Sequence, residues 1–326
     1  MSTHTVRTLE TLEGGIATPQ GFTASGQYVG IKAAGRGLDL ALIVSDRPAT
    51  AAAVFTTNKA QAAPVLVSKA HLAASHGVAR AVIVNSGCAN ACTGEVGLQD
   101  AHDMASLTAA LVDCPVDQVL VASTGVIGVN LKMDRLREGL PAAVAALGAD
   151  QGPAAARAIM TTDPFPKEAA ARVNIGDANI TVGGMAKGSG MIEPMMATML
   201  GFVTTDAGVP QALLVRALRE VVEDTFNAIT VDGECSTNDC VMILANGASG
   251  VTVDETSYDA FAEAVRAVCL PLAIGIVRGG EGATKLVTVN VTGAATSDEA
   301  RRCAKAIANS PLVKTAIHGG TRTGDA

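Results

Sequence analysis

Tryptophan is absent from this 326-residue sequence, and aromatic residues make up only 2% of it. A core of any size must therefore be built from Val, Leu, Ile, Ala and Met packed through small residues, and 34 glycines favour close backbone approach. Positive charge is also short, with 24 Lys and Arg against 31 Asp and Glu and a net charge of -7. Nucleic acid and anionic membranes both select basic patches that release counterions, so neither is an expected partner. No apolar run read from the sequence approaches the roughly 20 residues needed to cross a bilayer. The polar start Met1-Ser-Thr-His-Thr-Val-Arg7 lacks the apolar centre of a signal peptide, so a cytoplasmic protein acting on small molecules is expected. Only five histidines occur, His4, His71, His76, His102 and His318, and none lies near a Gly-x-Ser-x-Gly elbow. A serine-histidine-carboxylate triad is therefore not expected. Seven cysteines, an odd number, favour reduced thiols over a disulfide framework. The spacings of Cys88 with Cys92 and of Cys235 with Cys240 do not match a zinc knuckle, and no metal is expected.

What is present reads as α/β. Short apolar, β-branched runs predict strands at 40–44, 52–56, 81–85, 118–122, 171–175, 179–182, 199–204, 241–245 and 287–291. Longer helical patterns fall at 98–112, 133–147, 210–225, 258–270 and 297–308. In 210–225, Leu213, Leu214, Ala217, Leu218, Val221 and Val222 recur at three and four residues, while Arg216, Arg219, Glu220 and Glu223 take the other face. Ser297, Asp298 and Glu299 suit a helix start, as does Ser257, whereas Asp254 stands too far upstream to be a cap. Asp232, Glu234, Asn238 and Asp239 read as a hydrogen-bonded structural turn and not as a cation loop.

The segment Lys187-Gly-Ser-Gly-Met-Ile-Glu-Pro-Met-Met-Ala-Thr198-Met-Leu carries the chemistry. By spacing alone Thr198 is a β-branched residue entering a strand. In a Gly-rich, Lys-bearing context after Ala197 it also suggests a self-cleaving amide. Cleavage would make Thr198 an N-terminus whose hydroxyl lies beside its own amine, with a pKa of about 7.7 to 8.0 suited to a general base. Ser123-Thr124-Gly125-Val-Ile-Gly128 follows an apolar strand and can expose backbone amides. Lys187 lies in a Gly-rich loop without Walker order, which suits a carboxylate better than a nucleotide.

Together with Thr56-Thr-Asn-Lys-Ala-Gln-Ala-Ala-Pro64, Val84-Asn-Ser-Gly-Cys-Ala-Asn-Ala-Cys-Thr-Gly94, Thr161-Thr-Asp-Pro-Phe-Pro-Lys167, Val231-Asp-Gly-Glu-Cys-Ser-Thr-Asn-Asp239, Gly280-Glu-Gly-Ala-Thr-Lys285 and Ser310-Pro-Leu-Val-Lys-Thr-Ala-Ile-His-Gly319, the segment resembles the ornithine acetyltransferase (glutamate N-acetyltransferase) family of arginine biosynthesis. The resemblance implies an α/β sandwich in which two sheets are covered by helices. It implies autocatalytic cleavage between Ala197 and Thr198 into an α segment, 1–197, and a β segment, 198–326, that stay interdigitated and assemble as a heterotetramer. It also implies that Thr198 takes acetyl from N-acetylornithine and hands it to glutamate, with Thr124 and Gly125 as oxyanion hole. Thr161, Lys187, Thr198 and Glu281 would bind substrate, with Thr162 an alternative to its neighbour Thr161. No cofactor is implied, although acetyl-CoA is a candidate second donor.

The resemblance stops at Gly319. The family continues with Arg-Asp-Pro-Asn-Trp-Gly-Arg, whereas this chain reads Gly319-Gly-Thr-Arg-Thr-Gly-Asp-Ala326. One back-translation, GGC GGG ACC CGA ACT GGG GAC GCA, read from its third base encodes the family's seven residues, so the tail is expected to be a frameshifted form of that motif. Two rival functions remain at this point. One is an N-terminal-threonine amidase or aminopeptidase that releases its acyl group to water. The other is an uncut, truncated binding protein that forms no acyl-enzyme.

Overall fold

The structure, a computed structural model, describes residues 9–193 and 199–320. Within them run β1 (Leu9–Leu12), β2 (Phe22–Gln27), β3 (Leu40–Phe55), α1 (Ala63–Ala74), β4 (Val78–Cys88), α2 (Gly94–Val112), β5 (Val119–Val126), α3 (Met133–Ala145), α4 (Gly152–Ala158), β6 (Lys167–Ile175), β7 (Ala178–Lys187), β8 (Leu200–Thr205), α5 (Gln211–Asp224), β9 (Cys240–Ala245), α6 (Tyr258–Arg278), α7 (Ser297–Ala308) and α8 (Pro311–Gly319). The strands are hydrogen-bonded in the order β1-β6-β7-β8-β9-β3-β4-β5, with β2 on β3. Pairs β4–β5 and β8–β9 are parallel and the others antiparallel.

This order makes two layers, because β3 belongs to both. Its first half pairs with β2 and β4 and its second half with β9, and the register with β4 shifts between Val44 and Ala49. The sequence predicts two strands, broken at Ser45-Asp-Arg-Pro48. The structure keeps one bulged strand, with the proline in the stretch that leaves the β4 ladder, where no N–H is needed. Alternation along β3 shows the layering. Ala41, Ile43, Ala49 and Ala51 join Val82, Leu120, Met185, Phe202 and Met242 in an inner cluster. Leu40, Leu42 and Val44 turn outward to α1, α2 and α3, and Ala52 turns outward to α5 and α6. The result is helices, strands, strands, helices, which is the expected α/β sandwich with its sheets continuous through β3.

The strands on either side of residue 198 interleave. β8 and β9 lie between β7 and β3, so strands from the later part of the chain are flanked on both sides by strands from the earlier part. A cut at that point would leave two pieces joined by two full antiparallel ladders.

Helix α5 buries the stripe its sequence marks out, Leu213, Leu214, Ala217, Leu218, Val221 and Val222, the leucines and valines each contributing roughly 1.5–3 kcal/mol relative to exposure. Helix α7 is capped by Thr296, which accepts from the Glu299 N–H, with Asp298 and Glu299 in its first turn. Asp254 does serve the start of α6, accepting from the N–H groups of Thr256 and Ser257. Other sequence expectations fail. The helix predicted at 258–270 continues through Pro271 to Arg278, because burial of Leu272, Ala273 and Ile276 outweighs the missing backbone donor. At 21 residues, with a most apolar window of mean hydropathy 1.9, α6 has the length and composition of a membrane span that the sequence reading did not find, yet half of that window is buried in this core. The run 287–291 forms no strand, since no backbone among the described residues pairs with it.

Candidate active site

Two strands that are remote in the sheet order deliver the first contact. Lys187 ends β7 and Thr124 lies near the end of β5, and the folding of one layer over the other brings the Lys187 Nζ to donate to Thr124 Oγ1 at 3.2 Å. Lys187 is 3% exposed and Thr124 5%. Burial lowers the Lys187 pKa below the ordinary ammonium value; Asp163, Asp239 and Glu281 oppose that shift, and Lys167 reinforces it. Gly125 follows at φ +132°, in the region that favours glycine. A side chain there would meet the Gly87 carbonyl carbon at 2.4 Å across the β4–β5 ladder, so only glycine lets this exposed backbone approach β4 so closely.

Asp163 organises the other side of Lys187. Its Oδ1 accepts from Gly188 N–H at 2.7 Å and from Lys167 Nζ at 2.7 Å, and its Oδ2 accepts from Thr161 N–H at 3.0 Å. The Ser189 hydroxyl donates to the Gly279 carbonyl at 2.6 Å, and the Glu281 N–H donates to the Ser189 carbonyl at 3.0 Å. The Glu281 carboxylate lies against Gly190, where an added methyl group would stand 3.0 Å from Oε1. Thr124, Gly125, Thr161, Lys187 and Glu281, singled out from the sequence, thus fall into one neighbourhood. Thr161 is half-buried and Thr162 exposed. The hub, Asp163, stands inside the 161–167 motif, and its burial with Lys167 depends on contacts that no local pattern encodes.

The nucleophile assignment Thr198 and the cleavage partner Ala197 lie outside the described residues. Both flanks of that segment are fixed by the turn read from the sequence as structural. Asp232 accepts from Ile192 N–H at 2.7 Å and from Glu234 N–H at 3.2 Å, and Asp239 Oδ1 accepts from Met199 N–H at 2.8 Å. Asn238 ties the same turn to the Thr124 loop by donating to the carbonyls of Ala89 at 2.6 Å and Ser123 at 2.9 Å. Asp239 is 1% exposed, and its Oδ2 has no hydrogen-bond partner among the described residues. Burial pushes its carboxyl well above the usual carboxylate range, opposed by the Met199 N–H, Lys187 and the Ser236 hydroxyl. The turn is hydrogen-bonded as expected, but it also reaches the site, a role the sequence reading missed. All seven cysteines are unpaired, and Cys88 and Cys240 are buried as small apolar groups.

The chain is also similar to known proteins. The family model described as "ArgJ family" matches residues 23–322. The arginine biosynthesis bifunctional protein ArgJ of Symbiobacterium thermophilum is 53% identical over 315 residues, covering 95% of this chain and 78% of that protein. Among solved structures, the arginine biosynthesis bifunctional protein argJ of Bacillus halodurans is 40% identical and covers 58% of this chain and 98% of its own, with a TM-score of 0.54. The ornithine acetyltransferase of Mycobacterium tuberculosis, crystallised with ornithine, is 44% identical and covers 57% of this chain and 98% of its own, with a TM-score of 0.52.

Proposed function

This chain belongs to the ArgJ family, acyltransferases of arginine biosynthesis, and on that premise we propose that it carries an acetyl group from N-acetylornithine to glutamate on Thr198. Cleavage between Ala197 and Thr198 frees the Thr198 amine, which takes the proton of the Thr198 hydroxyl as that oxygen attacks the acetyl carbonyl. Ornithine leaves with a proton, and the acetyl ester is then attacked by the amine of glutamate. Both steps pass through an oxyanion held by Thr124 and Gly125, where one donor commonly contributes roughly 3–4 kcal/mol. Lys187 answers a substrate carboxylate and Glu281 an α-ammonium, with Thr161 beside them.

The observation that carries this reading is the buried Lys187–Thr124 contact, which unites a substrate-binding candidate with an oxyanion-hole candidate 63 residues away. The reaction needs no cofactor, and acetyl-CoA is a further candidate donor. The segments 1–197 and 198–326 remain together through the β7–β8 and β3–β9 ladders and pair as a heterotetramer in the cytoplasm. The test is the denatured intact mass of the protein beside Thr198→Ala, together with ornithine release from N-acetylornithine with and without glutamate. Two fragments meeting at residues 197 and 198, absent in the variant, with glutamate-dependent release, are expected. One uncut chain in both would overturn the nucleophile assignment, and release of acetate to water independent of glutamate would favour the amidase reading.

A further inference from the structure

The two sides of the candidate site come from different layers. Thr124 and Gly125 lie on β5, beside β4, whereas Lys187 ends β7 and the Thr161–Asp163 turn leads into β6. Asp163 ties that turn to the Lys187 side, through the Gly188 N–H and Lys167. Those bonds leave open how Thr161 stands relative to Gly125. We propose that Lys32 decides it: a positioning residue, it clamps the carbonyl just before Thr161 to the layer that carries Gly125, and so sets where Thr161 meets the substrate. The inference rests on Thr161 being a substrate contact.

The backbone of Lys32 is fixed first. Asp39, fully buried, accepts from the N–H groups of Val29 at 2.7 Å, Gly30 at 3.1 Å and Lys32 at 2.9 Å, and its own carbonyl accepts from Ser86 N–H on β4 at 2.9 Å. The turn bearing Lys32 is thereby joined to β4. The stem then lies against Gly87, where an added methyl group would stand 2.8 Å from Lys32 Cγ, and Gly87 is the residue opposite Gly125 in the β4–β5 ladder. At the end of the stem, Nζ donates to the Leu38 carbonyl at 2.6 Å and to the Met160 carbonyl at 2.7 Å, the latter 128 residues away in the chain. Met160 is joined to Thr161 by a single peptide unit, which is planar and stiff.

A second tie runs beside the first. The Ser86 hydroxyl on β4 donates to the Ala158 carbonyl at the end of α4 at 2.5 Å, so the segment entering the Thr161 turn is held to β4 at both 158 and 160. Lysine suits the second point because an ammonium can donate to two carbonyls from separate segments, and charge-assisted bonds are about twice as strong as neutral ones. Burial lowers its pKa; Asp39 and Asp163 oppose that shift and Lys187 reinforces it. Asp163 and Lys32 thus grip one turn from opposite layers.

The experiment is a double-mutant cycle. Glutamate-dependent ornithine release from N-acetylornithine is measured as kcat/KM for the wild type, Lys32→Met, Thr161→Ala and the double variant, beside their melting curves. Methionine keeps the apolar stem and removes the cation. Lys32→Met is expected to lose about a hundredfold, the cost that a misplacement of about 1 Å can carry. In the Thr161→Ala background the same change should cost no more than about threefold, because the contact that Lys32 positions is already gone. A lysine that only supports the fold would lower kcat/KM by the same factor in both backgrounds, and that result would overturn the inference. Lys32→Met within about threefold of the wild type would overturn it too. If Lys32→Met does not fold, Lys32→Gln, which keeps a shorter uncharged donor, goes through the same cycle, and failure of both to fold would assign Lys32 to folding alone and reject the clamp. Thr161→Ala with unchanged kcat/KM would instead remove Thr161 from the substrate site, and the inference would fall with that assignment.

Discussion

The shelf around Asp163 and the edge around Asp239 place the same side chain in the field of the same cation, Lys187, and equip it differently. Asp163 receives two N–H groups and a lysine ammonium, whereas Asp239 receives one backbone N–H, from Met199, with the Ser236 hydroxyl as its other favourable partner and no ammonium in contact among the described residues. Burial raises both carboxyls. At Asp163 the combined pull of Lys187, Lys167 and the Thr161 N–H overcomes burial and holds the group below the usual carboxylate range; at Asp239 burial wins. Ion pairing thus fixes one aspartate as a permanent anion that positions the Lys187 loop. Deeper burial against weaker opposing partners keeps the other protonated to higher pH.

Removing the better-equipped aspartate has the largest expected effect. Asp163→Ala leaves Lys167, whose side chain is 2% exposed, without its partner at 2.7 Å, and should cost about 3–5 kcal/mol in urea unfolding at neutral pH. A loss under 1 kcal/mol would mean that the shelf is not held by this pair. Lys187→Met comes next. It removes the cation common to both aspartates and should lower kcat/KM for N-acetylornithine by about 2–5 kcal/mol, a factor of roughly thirty to several thousand. An unchanged kcat/KM would remove Lys187 from the substrate site.

The third prediction is smaller and depends on sign. Because the folded pKa of Asp163 is depressed, its stabilisation is present above the unfolded value, near 3.9, and is lost as pH falls through the folded value. Asp163→Asn should therefore flatten the acid limb of the stability curve below about pH 4. Asp239 is raised, so the folded protein binds its proton more tightly than the unfolded chain, and the ionised form is a liability at higher pH. Asp239→Asn should gain stability relative to the wild type as pH rises from 5 to 8. Melting temperatures of both variants across pH 3 to 8 check the pair, and parallel curves would erase the contrast.

Much of this was legible before the structure. The apolar stripe of α5, the strands that became β4, β5 and β9, and the start and end of α7 follow from short-range periodicity. The neighbourhood of Thr124, Gly125, Thr161, Lys187 and Glu281 was assembled through a family resemblance, since nothing local links Thr124 to Lys187. Helices α1, α4 and α8 were missed. They are short or rich in alanine, which weakens a three-to-four-residue repeat. The opposite error came at 287–291, where β-branched residues suggested a strand and no partner strand was present.

The sequence by itself determined the elements whose information lies within three or four residues, together with the chemical groups available: a threonine after Ala197, a Gly-rich lysine loop and several carboxylates. Only the tertiary structure decided which carboxylates matter and in what state. A pKa depends on which donors and cations surround a group once water is excluded, and here those neighbours come from β6, the end of β7, the residue before β8 and the turn before β9, brought together when the layers fold over β3.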